Sequence, residues 1–292
     1  MHFHDILGHR LAYIPHNEDG PGIPLIFIHG ATASVRFWEA AMFEEIRTRH
    51  PWYAVSLPCH APSTCLRPLR EDDLTEDLFF RLLDEQIRRL VGERPVLLVG
   101  YSVGGFSAYN FAAKCPERTL GVISVGGFGR GRARGLERVL EFLANGGWVG
   151  KALFHAGWWS MQQHFFFLKQ AVKGYACDVP ALLAYQQLEP TLRNIFPDVK
   201  RHNRTHMRYL FRWLLHLDVT DEIQHITAPV LHFAGECDPV IPYDHQRRFA
   251  TQLSDCRFVS LPGAGHVVFA EREARFREEF LRFVREVDGA AT

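Results

Sequence analysis

Residues 96–113 read VLLVGYSVGGFSAYNFAA, and this stretch restricts the fold more than any other. Four apolar residues run into Gly100-Tyr101-Ser102-Val103-Gly104, and the chain beyond has helical character. An apolar run of this length, ended by glycine, reads as a strand buried on both faces. A helix must then start within a residue or two of its end. So sharp a turn drives its central residue into an unfavourable backbone region, and flanking glycines remove the β-carbons that would collide there. The result is a serine hydroxyl above a sheet, with the first amides of a helix beneath it to stabilise an anion. Gly105, Ala108 and Ala112 let that helix pack closely. In this strand–turn–helix setting the G-x-S-x-G spacing marks Ser102 as a candidate nucleophile.

The flanking sequence repeats the strand–helix rhythm. PLIFIHG (24–30), WYAVSLP (52–58) and LGVISVGG (120–127) read as further buried strands. Residues 34–50 and 71–92 have helical spacing, the second ending on Gly92. Residues 4–22 read as a hairpin on the sheet edge. Apolar strands alternating with helices predict an α/β fold with a mostly parallel, doubly wound central sheet. From residue 128 to 220 no strand pattern occurs, only aromatic-rich helical segments. The strand–helix rhythm returns at PVLHFAGECD (229–238) and CRFVSLPGAGH (256–266). The expected organisation is a core domain of 1–127 and 221–292 with an inserted helical cap subdomain of 128–220. A length of 292 residues suffices for one such domain with an insertion.

A serine hydroxyl needs a base, and the base needs an orienting acid. Asp238 ends one predicted strand in GECDPVIP, and His266 follows another in PGAGH. Both fall at the C-terminal ends of strands, where open α/β sheets keep their sites. SVGGFGRGRARG contains no acid to replace Asp238. The expected triad is therefore Ser102, Asp238 and His266. The oxyanion amides are expected from Val103 and from Ala31, in the turn after IFIHG.

With HG after the first buried strand, GYSVGG, GECDPVIP and PGAGH in place, the chain resembles the α/β-hydrolase fold superfamily. It is similar to the capped serine hydrolases that include esterases, lipases, C–C bond hydrolases and haloperoxidase-like perhydrolases. Serine at 102 separates it from the branches that use an aspartate nucleophile. One segment departs from the pattern. Where relatives carry D-x-P-G-x-G-x-S, this chain reads SLPCHAPST, which implies a different loop path.

Candidate substrate contacts are Thr32, Trp38, Tyr101 and Phe128 from the core, and Trp158 and Trp159 from the cap. More than half of the cap aromatics are expected in its own core or its seam with the sheet. RGRARG (130–135) reads as a solvated hinge, with capture of an anionic substrate group as the alternative.

The formal net charge is zero, so no global field favours nucleic acid or an acidic membrane. Six cysteines without a CxxC pair read as free thiols. His202 and His206 lack the glutamate of a zinc-binding H-E-x-x-H, so no metal or other cofactor is expected. No apolar run spans a bilayer and no leader pattern opens the chain. The expectation is a cytoplasmic serine hydrolase cleaving an ester-like bond of a small, largely apolar acyl substrate, with no nucleic-acid partner and an unspecified oligomeric state. The alternatives are C–C bond hydrolysis, acyl transfer or perhydrolysis, and non-catalytic ligand binding on the same scaffold.

Overall fold

The computed structural model describes residues 1–131 and 133–291. Arg132, in the middle of RGRARG, lies outside the described residues. Nine strands form one sheet: β1 (His2–Ile6), β2 (His9–His16), β3 (Leu25–Ile28), β4 (Trp52–Val55), β5 (Thr64–Cys65), β6 (Val96–Tyr101), β7 (Thr119–Val125), β8 (Val230–Gly235) and β9 (Cys256–Leu261). Their order is β1-β2-β4-β3-β6-β7-β8-β9, with β5 beside β2. The edge hairpin of β1 and β2 is antiparallel, and β2 joins β4 antiparallel. From β4 to β9 every pairing is parallel. The chain leaves β3 to one side for β4 and returns on the other side as β6. Strand order thus reverses between β3 and β6, which opens a crevice at their C-terminal ends. Gly30 and Ala31 follow β3, and Ser102 follows β6.

The helices before β7 are α1 (Glu44–Arg49), α2 (Glu76–Val91) and α3 (Val103–Lys114). Thr75 caps α2 by accepting from the Leu78 amide at 3.1 Å, and Gly92 closes it at φ +68°. Six helices follow between β7 and β8: α4 (Gly135–Asn145), α5 (Trp148–Gln163), α6 (Phe165–Lys173), α7 (Val179–Ala184), α8 (Leu188–Val199) and α9 (Arg204–Trp213). The last three are α10 (Tyr243–Ala250), α11 (Val268–Glu271) and α12 (Glu273–Ala291). All six residues of β6 are buried, and so is most of α3. Phe276, Phe280 and Phe283 bury the inner face of α12. No helix among the described residues is long and apolar enough to cross a membrane.

Two local expectations change. The helix read over 34–50 starts only at Glu44. Phe37 and Trp38 are both buried, and Phe37 stacks on Tyr101 at 5.1 Å while Trp38 packs on Phe27 at 5.4 Å. Two adjacent side chains drawn to different neighbours favour a loop over one helix face. The divergent SLPCHAPST segment holds Cys59 at φ +70°. There the Ser63 hydroxyl accepts from the Ala12 amide at 2.8 Å, which ties the segment to β2.

Candidate active site

Ser102 sits at φ +55°, ψ −118°, between β6 and α3. Its amide donates to the Val125 carbonyl at 2.9 Å, anchoring the turn to the end of β7. Its carbonyl accepts from the Gly105 amide at 2.8 Å, which starts α3. The strain expected of such a turn is therefore present, held by a backbone bond on each side.

Asp238 lies in the turn after β8. Its Oδ1 accepts from the amides of Val240 at 2.7 Å and Ile241 at 2.9 Å. Its Oδ2 lies 2.8 Å from His266 Nδ1, and the two side chains are 0% and 2% exposed. An ionised carboxylate only accepts, so Nδ1 carries the proton and the lone pair of Nε2 is left for a base. The His266 amide donates to the Tyr175 carbonyl at 2.8 Å. The imidazole packs 5.2 Å from the ring of Tyr101, the residue before Ser102. It also lies against Gly126, at φ +59°, where a β-carbon would come within 2.9 Å of its Cε1.

Behind Asp238 runs a buried polar chain that the sequence did not announce. Gln246 Nε2 donates to Asp238 Oδ2 at 3.0 Å and to the Ile241 carbonyl at 2.8 Å. Its Oε1 must then accept from His232 Nε2 at 2.9 Å, so His232 Nδ1 accepts from the Tyr109 hydroxyl at 2.7 Å. Burial holds His232 at a pKa of about 4, so the ring is neutral near pH 7. Gln246→Leu removes a donor from Asp238 and strands the His232 N–H. The expected outcome is a loss of about 1–3 kcal/mol in stability and a fall of roughly tenfold in kcat/KM as the orienting acid loosens. Urea melts and steady-state kinetics read both; a variant unchanged in both would remove Gln246 from the site.

Two cavities adjoin these residues. A small one of about 20 Å3 is lined by Ala31, Ser102, Val103, Phe128, Glu137 and Glu141, among others. A large apolar one of about 290 Å3 is lined by Thr32, Tyr101, Trp158, Leu168, Tyr175 and Phe269, among others. Tyr175 borders the large cavity and donates to Glu137, which borders the small one, at 2.8 Å. Ser102 therefore opens into the small cavity, while its neighbours Tyr101 and Thr32 face the large one.

Among the expected substrate contacts, Thr32, Tyr101 and Trp158 line the large cavity and Phe128 the small one. Trp38 and Trp159 line neither. Trp38 is buried with its Nε1 donating to the Ile28 carbonyl at 3.3 Å, and Trp159 is 49% exposed. Trp148, Phe166 and Phe167 are also exposed.

His60, from the divergent loop, has Nε2 2.7 Å from the Ala31 carbonyl oxygen, and so holds the turn after β3. Its conspicuous position between two odd residues of SLPCHAPST was the one signal for it. Glu137 and Glu141 could have been found only by asking which face of α4 turns inward. No cluster of three metal-ligating side chains occurs among the described residues.

The profile of the Alpha/beta hydrolase family matches residues 25–279, and the chain belongs to that family. It is 26% identical over 293 residues to 2-hydroxy-6-oxo-6-phenylhexa-2,4-dienoate hydrolase of Burkholderia cepacia, covering 92% of this chain and 90% of the relative. It is 24% identical over 275 residues to the biotin biosynthesis bifunctional protein BioHC of Teredinibacter turnerae, covering 88% of this chain and 44% of that protein. Over 103 residues it is 31% identical to 1-acylglycerol-3-phosphate O-acyltransferase ABHD5 of Sus scrofa, covering 35% of this chain and 29% of that one. The chain thus spans less than half the length of two of these relatives. Among solved structures, the enol-lactonase from Burkholderia xenovorans LB400 superposes with a TM-score of 0.75 at 14% identity, covering 97% and 99% of the two chains. A thermophilic esterase from Thermogutta terrifontis gives 0.71 at 18% identity, covering 96% and 94%. At these identities the two structures share the fold.

Proposed function

We propose that this protein is a serine hydrolase that cleaves ester-like acyl bonds of largely apolar substrates. The observation that carries the reading is the buried 2.8 Å contact between His266 Nδ1 and Asp238, packed against the residue that precedes a strained serine. In this reading His266 Nε2 takes the proton of Ser102 as its oxygen attacks the carbonyl. The amides of Val103 and Ala31 hold the oxyanion. His266 then protonates the leaving alcohol, and water activated by the same nitrogen releases the acid.

The helical insertion acts as a cap, and the large apolar cavity takes the acyl chain. Each methylene moved from water into such a cavity contributes about 0.8 kcal/mol. For p-nitrophenyl esters, kcat/KM should therefore rise several-fold per added methylene from acetate to butyrate before levelling off. Turnover that falls with chain length, or none at all, would count against an apolar acyl site.

The activity for which the Burkholderia cepacia relative is named favours C–C bond cleavage as a second reading. The placement of charges weighs against it. Arg134 and Arg138 line an open outer cleft and Arg130 pairs with Asp218, while the Ser102 cavity carries two glutamates. A dienoate anion beside those carboxyls would be repelled. Silence toward simple esters combined with turnover of a ring-fission acid would reverse this ranking.

A further inference from the structure

Helix α4 buries Ala144 and packs Leu140 and Leu143 against the core, but it turns two glutamates inward beside them. Val139 and Phe142 are 51% and 72% exposed, while Glu137 and Glu141, one turn apart, are 7% and 2% exposed. An ordinary amphipathic helix does the reverse. Both glutamates line the small cavity that also contains Ser102, Ala31 and Val103.

Their partners inside the protein fall short of two carboxylates. Glu137 Oε1 accepts from the Tyr175 hydroxyl at 2.8 Å. Glu141 Oε2 is buried with no hydrogen-bond partner among the described residues, and its one ion pair is to Arg138, 3.6 Å away on a side chain 62% exposed. Leaving a buried carboxylate this poorly satisfied is unfavourable by several kcal/mol. Negative charge beside an oxyanion site would also oppose the chemistry proposed above, unless a positive group enters with the substrate.

We propose that Glu137 and Glu141 form an acidic subsite next to Ser102 that binds a protonated amine on the leaving group, so that the preferred substrates are amino-alcohol esters of apolar acids. This rests on the hydrolase reading and names its leaving group. The small cavity admits the head of a single ammonium, whose N–H donors meet the oxygens that lack them. The acyl chain occupies the apolar cavity on the far side of Tyr175.

The charge state agrees. Burial, and after it the neighbouring Glu137, lifts Glu141 to a pKa of about 7. Burial also raises Glu137, against the opposing effects of the Tyr175 hydrogen bond and His266. With Arg138, these are the charged and titratable groups that bear on the pair. A carboxyl with a raised pKa is neutral below it and charged above it, so cation binding strengthens as pH rises from 6 to 8.

The test compares two isosteric esters of the same acid, 2-aminoethyl butanoate and propyl butanoate, by the butanoic acid each releases. Both are assayed with wild type, Glu141→Gln and Glu137→Gln. The wild type should favour the amine ester by about tenfold or more in kcat/KM at pH 8, with a smaller preference at pH 6. Either variant should bring the ratio to within about threefold of unity. Any pH effect on the shared chemical steps acts on both esters and cancels in the ratio. A wild-type ratio at or below one, or a ratio unmoved by both substitutions, would overturn the subsite. If the wild type cleaves neither ester, the hydrolase reading fails separately. The subsite is then read from the thermal midpoint: a rise with ethylammonium but not with 1-propanol, lost in both variants, upholds it, and equal or absent shifts overturn it.

Discussion

Ser102→Ala is expected to lower ester hydrolysis by about 10⁴- to 10⁶-fold while the protein stays folded. The size of the loss follows from the proposed role. Without the hydroxyl no acyl-enzyme forms, and His266 has no proton to take; serine hydrolases stripped of their nucleophile keep only what the oxyanion amides and binding supply. Retention of the fold follows from the contacts. The Ser102 side chain makes no capping hydrogen bond to α3. The bonds that anchor the turn, to Val125 and from Gly105, belong to the backbone and survive the substitution. Alanine meets nearly the same strain as serine at φ +55°, so the thermal midpoint should move by only a few degrees. Hydrolysis within tenfold of wild type by a folded variant would sink the mechanism.

The sheet was legible in the sequence because its strands are buried on both faces. LIFI, WYAV and the residues of β6 and β7 stand as largely apolar runs with a glycine or proline at or near an end, and one-sided strands would not. The order Ser102, Asp238, His266 supplied candidate positions, and the three loops that carry them end β6, β8 and β9 on one side of the sheet. What the sequence could not carry was the direction in which amphipathic elements face. LERVLEFL has helical spacing whichever side packs inward, and the inward side of α4 turned out to hold Glu137 and Glu141. Trp158 and Trp159 differ in the same way. They are identical neighbours in sequence, yet one is 1% exposed against the large cavity and the other 49% exposed. Gln246 and His232 gave no signal, because a buried glutamine becomes informative only when its two donors and one acceptor can be assigned to partners.

Gly100→Ala is expected to destabilise the protein by about 3–5 kcal/mol or to prevent folding. A β-carbon at residue 100 would lie 2.2 Å from the Gly104 carbonyl oxygen, 2.3 Å from its carbon and 2.5 Å from the Gly105 nitrogen. These atoms are all backbone, so no rotamer change relieves the clash. Only a shift of the first turn of α3 away from β6 can do so, and that shift moves Ser102 and the Val103 amide together. Stability and reactivity should therefore fall in step. Soluble Gly100→Ala should melt at a lower urea concentration and react with a fluorophosphonate probe at Ser102 at least tenfold more slowly. Gly157→Ala is the matched control. It lies within α5 on the wall of the large cavity, with no other element inside 4 Å of the added carbon, so it serves as the stability control alone, and it should gain about 1 kcal/mol from helix propensity. If Gly100→Ala melts like wild type and labels at the wild-type rate, the close approach of strand and helix is not what holds the serine. If instead it fails to fold while Gly157→Ala is stabilised, the loss belongs to the elbow rather than to alanine in place of glycine.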